Sequence, residues 1–161
     1  MSAISRRDWA AQPTTPGRGA SLAGTGRRCL EALVTNGPIA TDDPSGGLVA
    51  AGADLHHNNA DSLTLAQFKR GAAWFRAGMP DFHITIDDMV AEADRVAVRF
   101  TGRGTHLGSL FGEDPTSKSI TVYGSVIYRL RDGRVVKDWE TLDEHHLRQQ
   151  VGAVAGGRQG L

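Results

Sequence analysis

The chain has 161 residues, with 18 basic and 18 acidic side chains, 40% hydrophobic residues, 20 glycines and one cysteine. That length suits a single domain with a sizeable core, and a formal charge of zero provides no global field to hold nucleic acid or an anionic membrane. A lone Cys29 excludes an intramolecular disulfide and a cysteine-rich zinc site, and without a signal-peptide pattern or a run near the roughly 18 apolar residues of a membrane span, a cytoplasmic protein is expected.

The first segment is basic: Arg6, Arg7, Arg18, Arg27 and Arg28 stand against Asp8, amid Pro13, Pro16, Gly17, Gly19, Gly24 and Gly26. It lacks apolar periodicity and cannot offset its ordering entropy, so residues 1–26 are read as a disordered arm. Its arginines are too scattered, and too far from any amphipathic pattern, for a targeting peptide or a nucleic-acid arm. Residues 27–152 form the expected domain, and the glycines of 153–161 mark a flexible tail. No internal repeat is present.

Within the domain, Leu30 to Val34 is a short helical run stopped at Asn36-Gly37-Pro38. Leu48 to Leu55 reads as a second short helix, ending in His56-His57-Asn58-Asn59. Thr64-x-x-Gln67 is a capping-box pattern, and Leu65, Phe68, Ala72, Phe75 and Met79 follow it along one helical face until Pro80. The period then changes to two. Phe82, Ile84 and Ile86 alternate with polar residues, as do Val96, Val98 and Phe100; Ile120 to Leu130 and Val135 to Leu142 are further strands joined through Arg131-Asp132-Gly133. Asp143 to Val151 is a short helix or a strand end. Helices first and antiparallel strands afterwards predict an α+β domain with helices on one face of a curved sheet.

The last hairpin sets where two acids point. A three-residue loop pairs Leu130 with Arg134; a two-residue Asp-Gly loop pairs Arg131 with Arg134. A one-residue slip moves a whole strand's side chains to the other face, so burial should select the register that gathers apolar residues. The three-residue loop does so, placing Val122, Gly124, Val126, Tyr128 and Leu130 with Val136, Asp138, Glu140 and Leu142. Lys137, Trp139 and Thr141 then face out. A carboxylate on that inner face is costly unless it is paired or lines a wet cavity, and desolvation makes it a candidate proton acceptor. The plainer alternative is a rim position beside Arg134, Arg99 or solvent. Asp138 is read that way; for Glu140 both readings stay open.

A series of short patterns runs through the second half: Met79-Pro80-Asp81, Ala91-Glu92-Ala93-Asp94-Arg95-Val96, Gly104-Thr105-His106-x-Gly108, Pro115-Thr116-x-Lys118, Tyr128-Arg129-x-x-Asp132-Gly133, Trp139-Glu140-x-x-Asp143 and Leu147-x-x-Gln150-x-Gly152. In this order and spacing they resemble the SnoaL-like polyketide cyclases over residues 63 to 152. The resemblance implies a fold like that of nuclear transport factor 2: a strongly curved antiparallel sheet forming a cone, closed by N-terminal helices around a pocket. It also implies intramolecular aldol ring closure of an aromatic polyketide ester without metal or organic cofactor, and homodimers or homotetramers built on the sheet's outer face. In the family an inward acid follows the tryptophan and serves as general base or acid; the matching residue is Glu140, on which the face argument converges. The chain departs from the pattern in places. Glutamate replaces the common aspartate, Val126 stands where characterised cyclases carry a histidine, Ala93 and Ser117 replace turn glycines, and Asp114 replaces a proline.

The implied chemistry is proton abstraction α to a carbonyl by Glu140, with the enolate attacking a second carbonyl of the same folded, apolar, polyketide-like molecule. His57 and Asn58 are candidates to hydrogen-bond an enolate or ester oxygen, with a plain polar loop as the alternative. His106 either caps a loop or lines the pocket. Phe75, Val126, Tyr128 and Asp138 complete the candidate binding residues, while Trp74 and Phe75 are read first as core, and outward Trp139 as a subunit contact. Neither His56-His57 nor His145-His146 has a third ligand at useful spacing, so no metal is expected. Two other functions fit the same pocket: a non-catalytic binder of an apolar metabolite, and a hydroxylase or epoxide-hydrolase-like enzyme in which Asp138, Glu140 and Arg99 converge on a water.

Overall fold

The computed structural model describes Gly24, residues 48–58 and residues 60–154. The expected arm apart from Gly24, the short helix over 30–34, Asn59 and the tail from 155 onward lie outside the described residues. The elements are β1 (Val49–His57), α1 (Leu65–Gly78), β2 (His83–Glu92), β3 (Arg95–Thr105), β4 (Ser119–Arg131), β5 (Arg134–Leu142) and α2 (Glu144–Val151). One five-stranded sheet has the order β1-β5-β4-β3-β2.

The α+β class and the curved sheet stand; an all-antiparallel sheet does not. β2 to β5 are antiparallel neighbours, but β1 runs parallel to β5. The residues expected as a second short helix are thus an edge strand. Their alanines fit a helix by propensity, yet Ala53 and Leu55 are buried at a spacing of two and pack in the core with Val49, and such packing overrides propensity. The register slips between Val49 and Asp54, around Ala51-Gly52, where an interior glycine commonly marks an irregularity. Among the described residues, α1 and α2 lie over the cavity side of the sheet.

α1 starts where the capping box places it. Gln67 N–H donates to Thr64 Oγ1 at 3.2 Å, and Thr64 N–H donates to Gln67 Oε1 at 2.8 Å. Leu65 and Phe68 pack on the cluster under β1, β3, β4 and β5, and Phe75 packs on a second cluster built on Met79, Phe82, Leu110, Ile120 and Leu147.

The β4–β5 hairpin corrects the loop but keeps the faces. Arg131 pairs with Arg134 and Leu130 with Val135, so the loop is the two-residue Asp132-Gly133, with φ of 51° and 74° as a tight mirror-image turn requires. A register shift follows at once, and Tyr128 then pairs with Asp138, Val126 with Glu140 and Gly124 with Leu142. The extra residue swaps Val135 inward for Val136, and both acids stay on the inner face.

Two glycines let aromatic rings approach the strand backbone closely. A Cβ on Gly102 would fall 2.2 Å from Phe82 Cζ, and one on Gly124 would fall 2.5 Å from Phe100 Cζ. The two turn positions that depart from the family glycines, Ala93 and Ser117, both have left-handed backbone, with φ of 51° and 55°. Each therefore carries the strain a glycine would not.

Candidate active site

Between α1, α2 and the concave sheet lies a cavity of about 490 Å³. Its walls are mainly apolar, from Phe68, Phe75, Phe82, Ile84, Phe100 and Leu142, which suits a small organic ligand. Glu140 and His57 face into it together. The parallel pairing of β1 with β5 sets these two residues side by side, and His57 Nδ1 lies 3.0 Å from Glu140 Oε2. The Glu140 side chain is only 13% exposed.

Asn58 holds this dyad from behind. Its backbone is left-handed, with φ of 49°, a conformation asparagine tolerates better than most residues. The Asn58 N–H donates to the Glu140 carbonyl at 2.9 Å, and Asn58 Oδ1 accepts from Leu142 N–H at 2.8 Å. That second bond fixes the amide, so Asn58 Nδ2 faces Glu144 Oε2 at 3.3 Å and His57 Nε2 at 3.5 Å. With donors aimed at Nε2, the consistent tautomer has Nδ1–H donating to the Glu140 carboxylate. The hydrogen bond to Glu140 raises the His57 pKa against an opposing effect of burial.

A second acid–base pair stands at the start and end of α2. Arg148 Nε donates to Glu144 Oε1 at 2.7 Å, and the guanidinium carbon lies 4.0 Å from the Phe111 ring centre. Burial works to raise the Glu144 pKa, but Arg148, Asn58 and His57 outweigh it and the net shift is downward. Both side chains line the cavity. Neither was a candidate from the sequence, although their i, i+4 spacing after the Asp143 cap was a legible sign of a paired helix face.

Of the expected site residues, Glu140, His57 and Phe75 meet at the cavity, with Asn58 beside them. Val126, Tyr128 and Asp138 are 2% exposed and sit in the sheet's interior rather than on the cavity wall. Asp138 is therefore not at a rim. Its Oδ1 accepts the His56 N–H at 2.9 Å, and burial pushes its pKa up to about 7, with the Glu140 charge adding to the rise. His106 does not line the cavity either. It is fully buried in the loop after β3, its Nδ1 lies 3.1 Å from Thr116 Oγ1, and its backbone N–H and C=O bond Lys118 and Ser117. Trp74, expected in the core, is 45% exposed at the cavity's edge, with its ring edge-on to Phe111.

The constellation of Asp138, Glu140 and Arg99 is overturned. Arg99 points out of the sheet and pairs with Asp87 at 3.1 Å. Among the described residues no three His, Cys, Asp or Glu side chains are grouped to hold a metal ion, and no helix is long and apolar enough to cross a membrane.

The fold recurs in known structures. AclR, a candidate hydroxylase from Streptomyces galilaeus, superposes with a TM-score of 0.72 at 21% identity, over 86% of this chain and 87% of its own. A candidate SnoaL-like polyketide cyclase from Jannaschia sp. CCS1 gives 0.74 at 20% identity, over 89% and 99%. IdmH, a candidate polyketide cyclase from Streptomyces antibioticus, gives 0.70 at 25% identity, over 81% and 98%. No curated protein matches the chain. The family model for the SnoaL-like polyketide cyclases matches residues 43–151, spanning the cavity, both helices and every strand. The chain belongs to the SnoaL-like polyketide cyclase family.

Proposed function

We propose that this protein is a cofactor-free acid/base enzyme that closes a ring in a polyketide or related ester by an intramolecular aldol-type reaction. The observation that supports it is the Glu140–His57 dyad at 3.0 Å, turned into an otherwise apolar cavity. Glu140 takes a proton α to a carbonyl, and the hydrogen bond from His57 orients the carboxylate. The enolate then attacks a second carbonyl of the same molecule, held folded by the aromatic walls; such positioning converts an improbable encounter into a unimolecular step. The Glu140 carboxyl, which then carries the abstracted proton, returns it to the new alkoxide, so that the carboxylate bonded to His57 is regenerated.

Glu140 has no arginine partner among the described residues, and this favours catalysis over passive binding of an apolar metabolite. A quenched carboxylate would sit against a permanent cation, whereas a histidine partner can exchange the proton. Ring closure of a linear aromatic polyketide ester, followed by chromatography, tests the proposal. Glu140→Gln should lose about 10²–10⁴-fold in turnover, and unchanged turnover overturns it.

The same geometry supports a second assignment, in which Glu140 orients the imidazole and His57 Nε2 is the base, as in an acid–histidine pair. His57→Gln then costs more than Glu140→Gln. The outer face of the sheet exposes Val90, Tyr123, Ile127 and Trp139, and we propose that it pairs two copies of the chain. Light scattering tests this, and a monomeric mass removes it.

A further inference from the structure

Among the described residues, the cavity wall carries one cation that nothing answers. Six polar side chains line it: His57, Gln67, Arg76, Glu140, Glu144 and Arg148. His57 and Glu140 bond each other, Glu144 and Arg148 bond each other, and Gln67 is held by Thr64 in the cap of α1. Arg76 remains. Its Nη2 is shut off from solvent and has no hydrogen-bond partner among the described residues. Its position in the last turn of α1 explains why a basic residue is favoured there. The helix dipole acts on an exposed side chain just as well, and so does not explain a guanidinium turned inward with a buried, unmade hydrogen bond. A buried donor left unsatisfied is costly, and a guanidinium is the side chain best shaped to take a carboxylate through two parallel bonds.

We infer that Arg76 is a substrate-recognition residue for an ionised carboxylate, so that the polyketide-like substrate of this chain carries a free acid group. The inference rests on the cavity being the substrate site proposed above. The carboxylate sits at the C-terminal end of α1, the apolar body lies along Phe75, Phe82 and Phe100, and the reacting carbonyls reach the dyad. Burial alone lowers the Arg76 pKa from its very high ordinary value, and the side chain keeps its charge.

Calorimetric titration of the full chain with anthraquinone-2-carboxylate and with its methyl ester, at neutral pH, separates the two ligand classes without a known substrate. The acid should bind about tenfold or more tightly than the ester, as expected for a charge-assisted pair in an apolar site. Arg76→Gln should abolish that preference while leaving the affinity for the ester within about twofold. Arg76→Lys, which keeps the charge and loses the planar fork, should retain part of it and serves if the glutamine variant does not fold. Equal binding of acid and ester by the wild-type chain, or a preference that survives Arg76→Gln, overturns the role of Arg76 alone. Failure of both ligands to bind the wild-type chain overturns the cavity as a ligand site, and Arg76's role with it.

Discussion

Asp138 and Glu140 lie two residues apart on the same face of the same strand, yet they occupy different worlds. Asp138 is sealed between Leu55 and Tyr128 in the ladder, bonded to a backbone N–H and held protonated up to about pH 7. Glu140 opens on the cavity and has a titratable partner at 3.0 Å. Strand parity decides only that both acids point inward; the parallel neighbour decides what each one meets. At Asp138 that neighbour is Leu55, and at Glu140 it is His57. A buried acid is thus a sign of function only where a cavity and a proton partner accompany it.

Exchanging the roles of the two acids should show the largest contrast. In a ring-closure assay, Glu140→Gln should remove about 10²–10⁴-fold of activity, whereas Asp138→Asn should keep activity within about tenfold. Equal losses would make the acids one unit and break the comparison. His57→Gln should cost less than Glu140→Gln if the carboxylate is the base, by about tenfold. Wild-type His57 should also stabilise the fold at low pH: its raised pKa means that this contribution is full below the ordinary imidazole value and lost as pH rises through the folded one.

Stability should separate the acids in the opposite sense. The unfolded chain ionises Asp138 in the ordinary carboxylate range while the folded chain retains the proton to about pH 7, so the wild type loses stability over that interval and levels off above it. Asp138→Asn removes this loss. Its advantage in unfolding free energy, read from denaturant titrations, should grow from about pH 4 to about pH 7, reaching roughly 1–3 kcal/mol. A constant difference across the range would contradict a buried, protonated Asp138. The smallest effect belongs to positions remote from both acids: Ala93→Gly and Ser117→Gly should each stabilise by about 0.5–1 kcal/mol by relieving left-handed backbone, with no change in the pH dependence set by Asp138.

What was legible in the sequence was local or carried by the family pattern. The Thr64–Gln67 box marked the start of α1, alternation marked β2 to β5, and parity with burial put Glu140 inside. The family's turn glycines, replaced here at Ala93 and Ser117, marked two turns. Non-local geometry was hidden. Nothing within Val49–His57 signals that it adds in parallel beside β5, because the pairing depends on a partner some eighty residues away, and its alanines fit either structure. With β1 read as a helix, His57 could not be placed against Glu140. The hairpin's two-residue loop and its bulge cancel in parity, so the faces were right although the loop was not. Arg76, Glu144 and Arg148 were missed because only the cavity distinguishes them from solvated helix charges.

The central claim is that Glu140 abstracts a carbon-bound proton, and solvent deuterium exchange reads that step without a known product. 2-Tetralone in D₂O, followed by proton NMR, should lose its C1 hydrogens faster with the wild-type chain than with buffer, and Glu140→Gln should return the rate to within about threefold of background. Exchange that is equally fast in the Glu140→Gln protein and slow in His57→Gln would contradict Glu140 as the base and assign the proton to His57.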